Sequence, residues 1–133
     1  MAYRFLSADE IVGIHRDIAD RTGEGDVPLL SAEKLESAAA RPALAAHYEN
    51  ADVVRQAALL TIGLMQAHPF LDGNKRVAFA AGDTFLVLNG FRLIGDPLGF
   101  AKEIVAVASR SGSQDEAFDR FETWLRRHVR FDG

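Results

Sequence analysis

Cysteine is absent from the chain. Its absence excludes disulfides, thiolate nucleophiles, Cys-ligated zinc and iron–sulfur clusters, and it fits a reducing compartment. Long apolar runs are missing as well. The longest, Ala57 to Met65, is broken at Gln66 and His68, whereas a membrane helix needs about 18 or more such residues. The opening MAYRFLSADE has no apolar stretch of signal-peptide length. Basic charge is not in excess: 15 Lys and Arg face 19 Asp and Glu, a net charge of −4. Non-specific nucleic-acid binding needs a clustered positive surface. These absences predict a soluble cytoplasmic protein with no membrane partner and no direct nucleic-acid partner. Repeats, low-complexity tracts and long linkers are also lacking.

What remains is an ordinary globular composition, 48% hydrophobic and 26% charged. The 133 residues suit one domain, residues 1–133. A chain of this size buries roughly two-thirds of its unfolded surface and needs no metal or disulfide staple.

The hydrophobic pattern is helical nearly throughout. Ser7-Ala8-Asp9-Glu10 reads as a capping box, and Ile11, Ile14 and Ile18 follow at helical spacing, so a helix is predicted from about Ala8 to Arg21. Thr22 to Pro28 carries two glycines and a proline and reads as an exposed loop. Ser31 caps a short helix to about Ala40, which Pro42 is expected to end. Ala51 to Ala67 is apolar on nearly every face and reads as a buried central helix. A second runs from about Asn74 to Leu88, with Asn89-Gly90 as its stop. Phe91 to Ile94 has the composition of an extended segment, and Asp96-Pro97 starts a helix to about Ser109. Arg110-Ser111-Gly112 turns the chain, and Ser113 to Glu116 forms a second capping box. The last helix presents Phe118, Phe121, Trp124, Leu125 and Val129 on one face. The class is all-α, a bundle of about six helices around a central pair.

The chemistry concentrates between that pair, in His68-Pro69-Phe70-Leu71-Asp72-Gly73-Asn74-Lys75-Arg76. The first N–H groups of a helix lack internal partners and carry partial positive charge. Gly73 permits close backbone approach, and Lys75 and Arg76 add cations, so the segment has the makings of a phosphate site. Asp72 offers Mg²⁺ a hard oxygen. His68 brings an imidazole, a group that titrates near neutrality and suits proton removal. Base, metal ligand and anion site together point to phosphoryl or nucleotidyl transfer to a hydroxyl. On residues alone, the same segment also fits a polar loop in which Asp72 and Asn74 only cap the next helix.

HPFLDGNKR matches the Fic/Doc motif, H-x-F-x-[DEN]-[GA]-N-[GK]-R, at every specified position. LSADEIVGIHRDI, LLSAEKLESAAARP and FLVLNGFRL extend the resemblance to death-on-curing (Doc) toxins over essentially the whole chain. The resemblance implies roles. His68 is the general base on a Ser or Thr hydroxyl of a target protein. Phe70 anchors the loop. Asp72 holds Mg²⁺ on the phosphates of ATP, Gly73 and Asn74 cradle phosphate oxygens, and Arg76 pairs with phosphate charge. Lys75 stands where AMP-transferring Fic enzymes have a second glycine, and Phe79 where they have a second arginine. Both departures are those of Doc. They imply a flipped nucleotide, transfer of the γ-phosphate, and elongation factor Tu as the target, so that translation stops. AMP transfer stays open as the alternative, since Asp72 and Gly73 are as Fic has them, and so does a catalytically degenerate binding module.

The resemblance also implies that Thr22 to Ser31 is a flap that holds the target's backbone in extended form. The self-inhibitory Fic pattern [ST]-x-x-x-E-[GN] is not met: Ala45 precedes Glu49-Asn50, and Asp20 precedes Glu24-Gly25, at the required spacing. The expected inhibitor is therefore a separate Phd-like antitoxin that folds on binding, in a groove lined by the first helix and the helices flanking the motif. His15 reads as a structural histidine. His47 and His128 read as surface, Trp124 with Phe118 and Phe121 as core, and Arg126, Arg127 and Arg130 as a solvated face.

Overall fold

The structure, a computed structural model, describes residues 2–109 and 114–132. In chain order the elements are α1 (Ala8–Arg21), α2 (Ala32–Glu49), α3 (Val53–Ala67), α4 (Asn74–Leu88), β1 (Phe91–Leu93), α5 (Pro97–Ser109), α6 (Gln114–His128) and β2 (Val129–Phe131). The predicted helical bundle is what forms. The turn at Arg110-Ser111-Gly112 and the cap at Ser113 lie outside the described residues.

α1 begins on its predicted capping box. The Glu10 N–H donates to Ser7 Oγ at 3.1 Å, and the Ser7 N–H donates to Glu10 Oε1 at 3.0 Å. Ile11, His15 and Ala19, four residues apart, form its buried stripe. Asp52 caps α3 by accepting from the Arg55 N–H at 2.9 Å. Every residue of α3 from Gln56 to Met65 is buried, as befits a helix apolar on all faces. α2 and α4 both pack along α3. The α3–α4 approach is close at Gly82, where a Cβ would collide with Thr61 Oγ1; glycine leaves room for that hydroxyl, which donates to the Ala57 carbonyl at 2.8 Å. α5 starts as expected, with the Leu98 N–H on Asp96 Oδ1 at 2.9 Å.

Two expectations are corrected. Pro42 does not end α2, which continues to Glu49 and stops at Asn50 in a left-handed conformation, φ 53°. An interior proline forfeits one backbone hydrogen bond and strains the preceding turn. Here Leu35, Ala38, Pro42 and Ala45 form a single buried stripe, and its packing against the core outweighs that local cost. The last helix also stops earlier than its apolar pattern implies. Val129 lies in β2, paired with Leu93 of β1, while Phe91 faces Phe131. The extended reading of Phe91 to Ile94 holds, and the partner strand is the segment that periodicity assigned to α6. With it His128 leaves the surface class: its ring stacks on Trp124 with centroids 4.2 Å apart, and Nδ1 lies 2.8 Å from the Trp124 carbonyl oxygen.

Candidate active site

The α3–α4 hairpin delivers the nine-residue segment to one end of the bundle. α3 ends at His68, which adopts φ 47° and ψ 55°, a region uncommon for a residue with a Cβ. Its side chain is exposed. Nδ1 lies 3.4 Å from Asn74 Nδ2, too long a contact to pin the tautomer. Pro69 prevents α3 from continuing. Phe70, only 2% exposed, anchors the loop in the core.

Asn74 holds that anchor. The Phe70 N–H donates to Asn74 Oδ1 at 3.0 Å, and Asn74 Nδ2 donates to the Phe70 carbonyl at 2.8 Å. Its carboxamide is thus buried on the loop's own backbone, and any part it takes in an anion site falls to its main chain. Gly73, φ 78°, is the residue before α4, and no side chain caps this helix. The first internal bond runs from the Val77 N–H to the Gly73 carbonyl at 3.0 Å, so the N–H groups of Asn74, Lys75 and Arg76 have no acceptor within α4. Asp72 is exposed, and its Oδ1 accepts from the Gly73 N–H at 2.8 Å. Lys75 and Arg76 are exposed on the first turn.

The segment of residues 22–31 is tied to this loop. The Leu30 and Ser31 N–H groups donate to the Pro69 carbonyl at 2.8 and 3.2 Å, and the Leu71 N–H donates to the Pro28 carbonyl at 3.0 Å. Leu29 and Phe70 form an antiparallel bridge. From the same segment, Glu24 makes an ion pair with Arg76, and the Thr22 hydroxyl donates to the same Glu24 Oε1 at 2.9 Å. Beside the two cations opens an apolar groove of about 650 Å³, walled by Ile18 of α1, Phe79 of α4 and Pro97 and Leu98 of α5. One turn beyond Phe79, Asp83 is half-buried, and burial pushes its carboxyl above the ordinary aspartate range.

The donor set fits a nucleotide with Mg²⁺. The bare backbone at Gly73 and the uncapped α4 N-terminus suit phosphate oxygens. Asp72 is the loop's one carboxylate. The described residues hold no group of three or more His, Cys, Asp or Glu side chains that would bind a metal by themselves. Mg²⁺ is usually shared in this way, between one or two carboxylates and substrate phosphates.

Two residues of the site escaped the sequence reading. His15 was expected to be structural, and it is buried, but its Nε2 lies 2.8 Å from the Asp72 carbonyl oxygen. Glu24 carried no signal, because an ion pair spanning 52 positions leaves no local pattern.

A family model described as Fic/DOC family matches residues 5–86, more than half of the chain. The chain belongs to the Fic/Doc family. Members of this family generally transfer phosphate or nucleotide groups onto proteins, with a nucleoside triphosphate and Mg²⁺. Comparison with curated proteins found no match.

Proposed function

We propose that this protein is a Doc-like toxin, a protein kinase that moves the γ-phosphate of ATP to a Ser or Thr hydroxyl of a translation factor, with elongation factor Tu as the target. One observation carries the reading: the motif loop presents an exposed imidazole, a carboxylate and an uncapped helix N-terminus together, while Lys75 and Phe79 occupy the two positions that distinguish Doc from AMP-transferring relatives.

The target hydroxyl loses its proton to a ring nitrogen of His68. Its oxygen bonds to the γ-phosphorus as the bond from that phosphorus to the bridging oxygen breaks, and ADP leaves. The backbone N–H groups at the start of α4, with Lys75 and Arg76, meet the phosphate charge. Asp72 would hold Mg²⁺, which supplies further neutralisation of the phosphates when bound. The flap offers backbone groups to an extended target segment, a mode that places a hydroxyl with little side-chain specificity.

A translation-arresting chain requires an inhibitor. We take this to be a Phd-like antitoxin whose C-terminal segment folds against the apolar groove between α1, α4 and α5. That groove supports the reading because coupled folding needs a large apolar contact to offset ordering.

The test is incubation with purified elongation factor Tu and ATP labelled at either the α or the γ position. Label from the γ position is expected on the target; label from the α position replaces the kinase with an AMP transferase. Toxicity should vanish in His68→Ala and upon co-expression with the antitoxin. Persisting toxicity in His68→Ala would favour a module that acts by binding alone.

A further inference from the structure

We infer that His15 is a positioning residue for the candidate site: from α1 it locks the Asp72–Gly73 peptide so that the Gly73 N–H holds the Asp72 carboxylate beside the uncapped start of α4. The inference rests on the reading that this loop binds nucleotide phosphates.

His15 is 5% exposed and lies 57 positions from its partner. Its ring is parallel to that of Phe70, with an interplanar angle of 5° and centroids 3.8 Å apart. The stack fixes the ring plane, and Phe70 is itself clamped by Asn74. Within that plane Nε2 reaches the Asp72 carbonyl oxygen at 2.8 Å. A carbonyl oxygen only accepts, so Nε2 carries the proton. The carbonyl of residue 72 and the N–H of residue 73 belong to one planar trans peptide and point in opposite directions. Drawing the carbonyl towards α1 therefore turns the Gly73 N–H away from it, to the side where the Asp72 carboxylate takes it at 2.8 Å. The same carboxylate is the candidate metal ligand, so one hydrogen bond from α1 orients, through the Gly73 N–H, the residue that would hold the cation. The space leaves no slack: a Cβ at Gly73 would sit 3.2 Å from His15 Nε2. A site for a metal and phosphates needs its groups held in place before the ligand arrives, and His15 supplies that constraint without touching substrate.

The experiment uses the full chain, its His15→Phe variant, which keeps the stacked ring and loses the donor, and His15→Gln, which keeps a donor. In the wild type, ring ¹⁵N shifts should show His15 Nε2 protonated. In His15→Phe the Gly73 amide order parameter should fall from about 0.85 towards about 0.6. The affinity for MgATP should fall about tenfold, the loss expected for one such hydrogen bond. KM for ATP should rise more than kcat falls. His15→Gln should recover most of both losses. A bare Nε2 in the wild type overturns the inference, as does a His15→Phe variant whose Gly73 amide and MgATP affinity are unchanged. If His15→Phe does not fold, the wild-type ring shifts and the His15→Gln variant decide. If the wild type binds no MgATP, the nucleotide reading falls, and the Gly73 amide alone decides whether His15 locks the peptide.

Discussion

Gly73 meets two constraints that reinforce each other. Its φ of 78° disfavours any side chain, and a Cβ there would press on His15 Nε2. Gly73→Ala should therefore lose about 1–2 kcal/mol for the left-handed backbone alone, and MgATP affinity should fall with it; thermal unfolding and calorimetry on one preparation check both. His68→Ala should behave differently. The residue is exposed and removing its imidazole opens no cavity, so stability should hold while transfer slows about 10²–10⁴-fold, the range for a lost general base. A matched loss of stability would instead make His68 a structural turn residue. At this scale the sequence was informative because the chemistry is contiguous: nine adjacent residues carry the imidazole, the carboxylate and the cations onto one loop. It was silent on direction. Nothing in the order of residues says that the Asn74 carboxamide turns inward to Phe70, or that a histidine on α1 reaches the Asp72 carbonyl.

Between elements, the segment of residues 22–31 and α4 share a contact that bears on the site. Glu24 neutralises Arg76, the cation that the phosphate reading needs. A bound anion and Glu24 thus compete for one guanidinium. Glu24→Gln should raise MgATP affinity, by less than about fivefold, because an exposed ion pair is worth at most about 1 kcal/mol. The gain should shrink in high salt, which weakens the wild-type pair in any case. Lower affinity in the variant would show that Glu24 serves to hold its own segment against α4 instead. The same scale explains what local rules misjudged. Pro42 breaks a helix in isolation, but four buried side chains of α2 share a stripe that only tertiary packing reveals. Val129 continues the apolar pattern of α6, yet β1 offers it a partner strand, and strand pairing is set by a segment almost forty residues earlier. By contrast, α1 and α4 were legible to the residue, since a capping box and an Asn-Gly stop act locally.

Across the whole molecule, the site and the charged network sit at opposite ends of α3. Asp52 caps its start and His68 its end, a span of about 24 Å at helical rise. At the Asp52 end, Arg55 pairs with Glu49 and Glu122, and Arg126 pairs with Asp52 and Glu122, tying α2, α3 and α6 together. The Arg126 guanidinium, with the Arg55 N–H, holds the Asp52 carboxyl below the ordinary aspartate range. A carboxyl so lowered contributes stability that is fully present above the ordinary value of about 3.9. The contribution is lost as pH falls through the lower folded value. Asp83 has the opposite sign: burial raises its carboxyl, so ionisation costs stability at neutral pH, and the cost is relieved as pH falls through the raised value. Two isosteric substitutions separate these effects. Asp52→Asn keeps a competent helix cap and removes the charge together with one of the two acceptors that Arg126 uses, so it should lower stability at pH 7 by no more than about 1 kcal/mol, water screening the pair. Its deficit should close in acid. Asp83→Asn should raise the unfolding midpoint at pH 7, with the gain fading as the wild-type carboxyl protonates. Thermal unfolding of the wild type and both variants from neutral pH to below about 3.9 checks the pair. A deficit in Asp52→Asn that persisted unchanged in acid would mean that the cap, not the charge, carries the effect. A destabilised Asp83→Asn would mean that the Asp83 carboxylate has a partner that outweighs its burial.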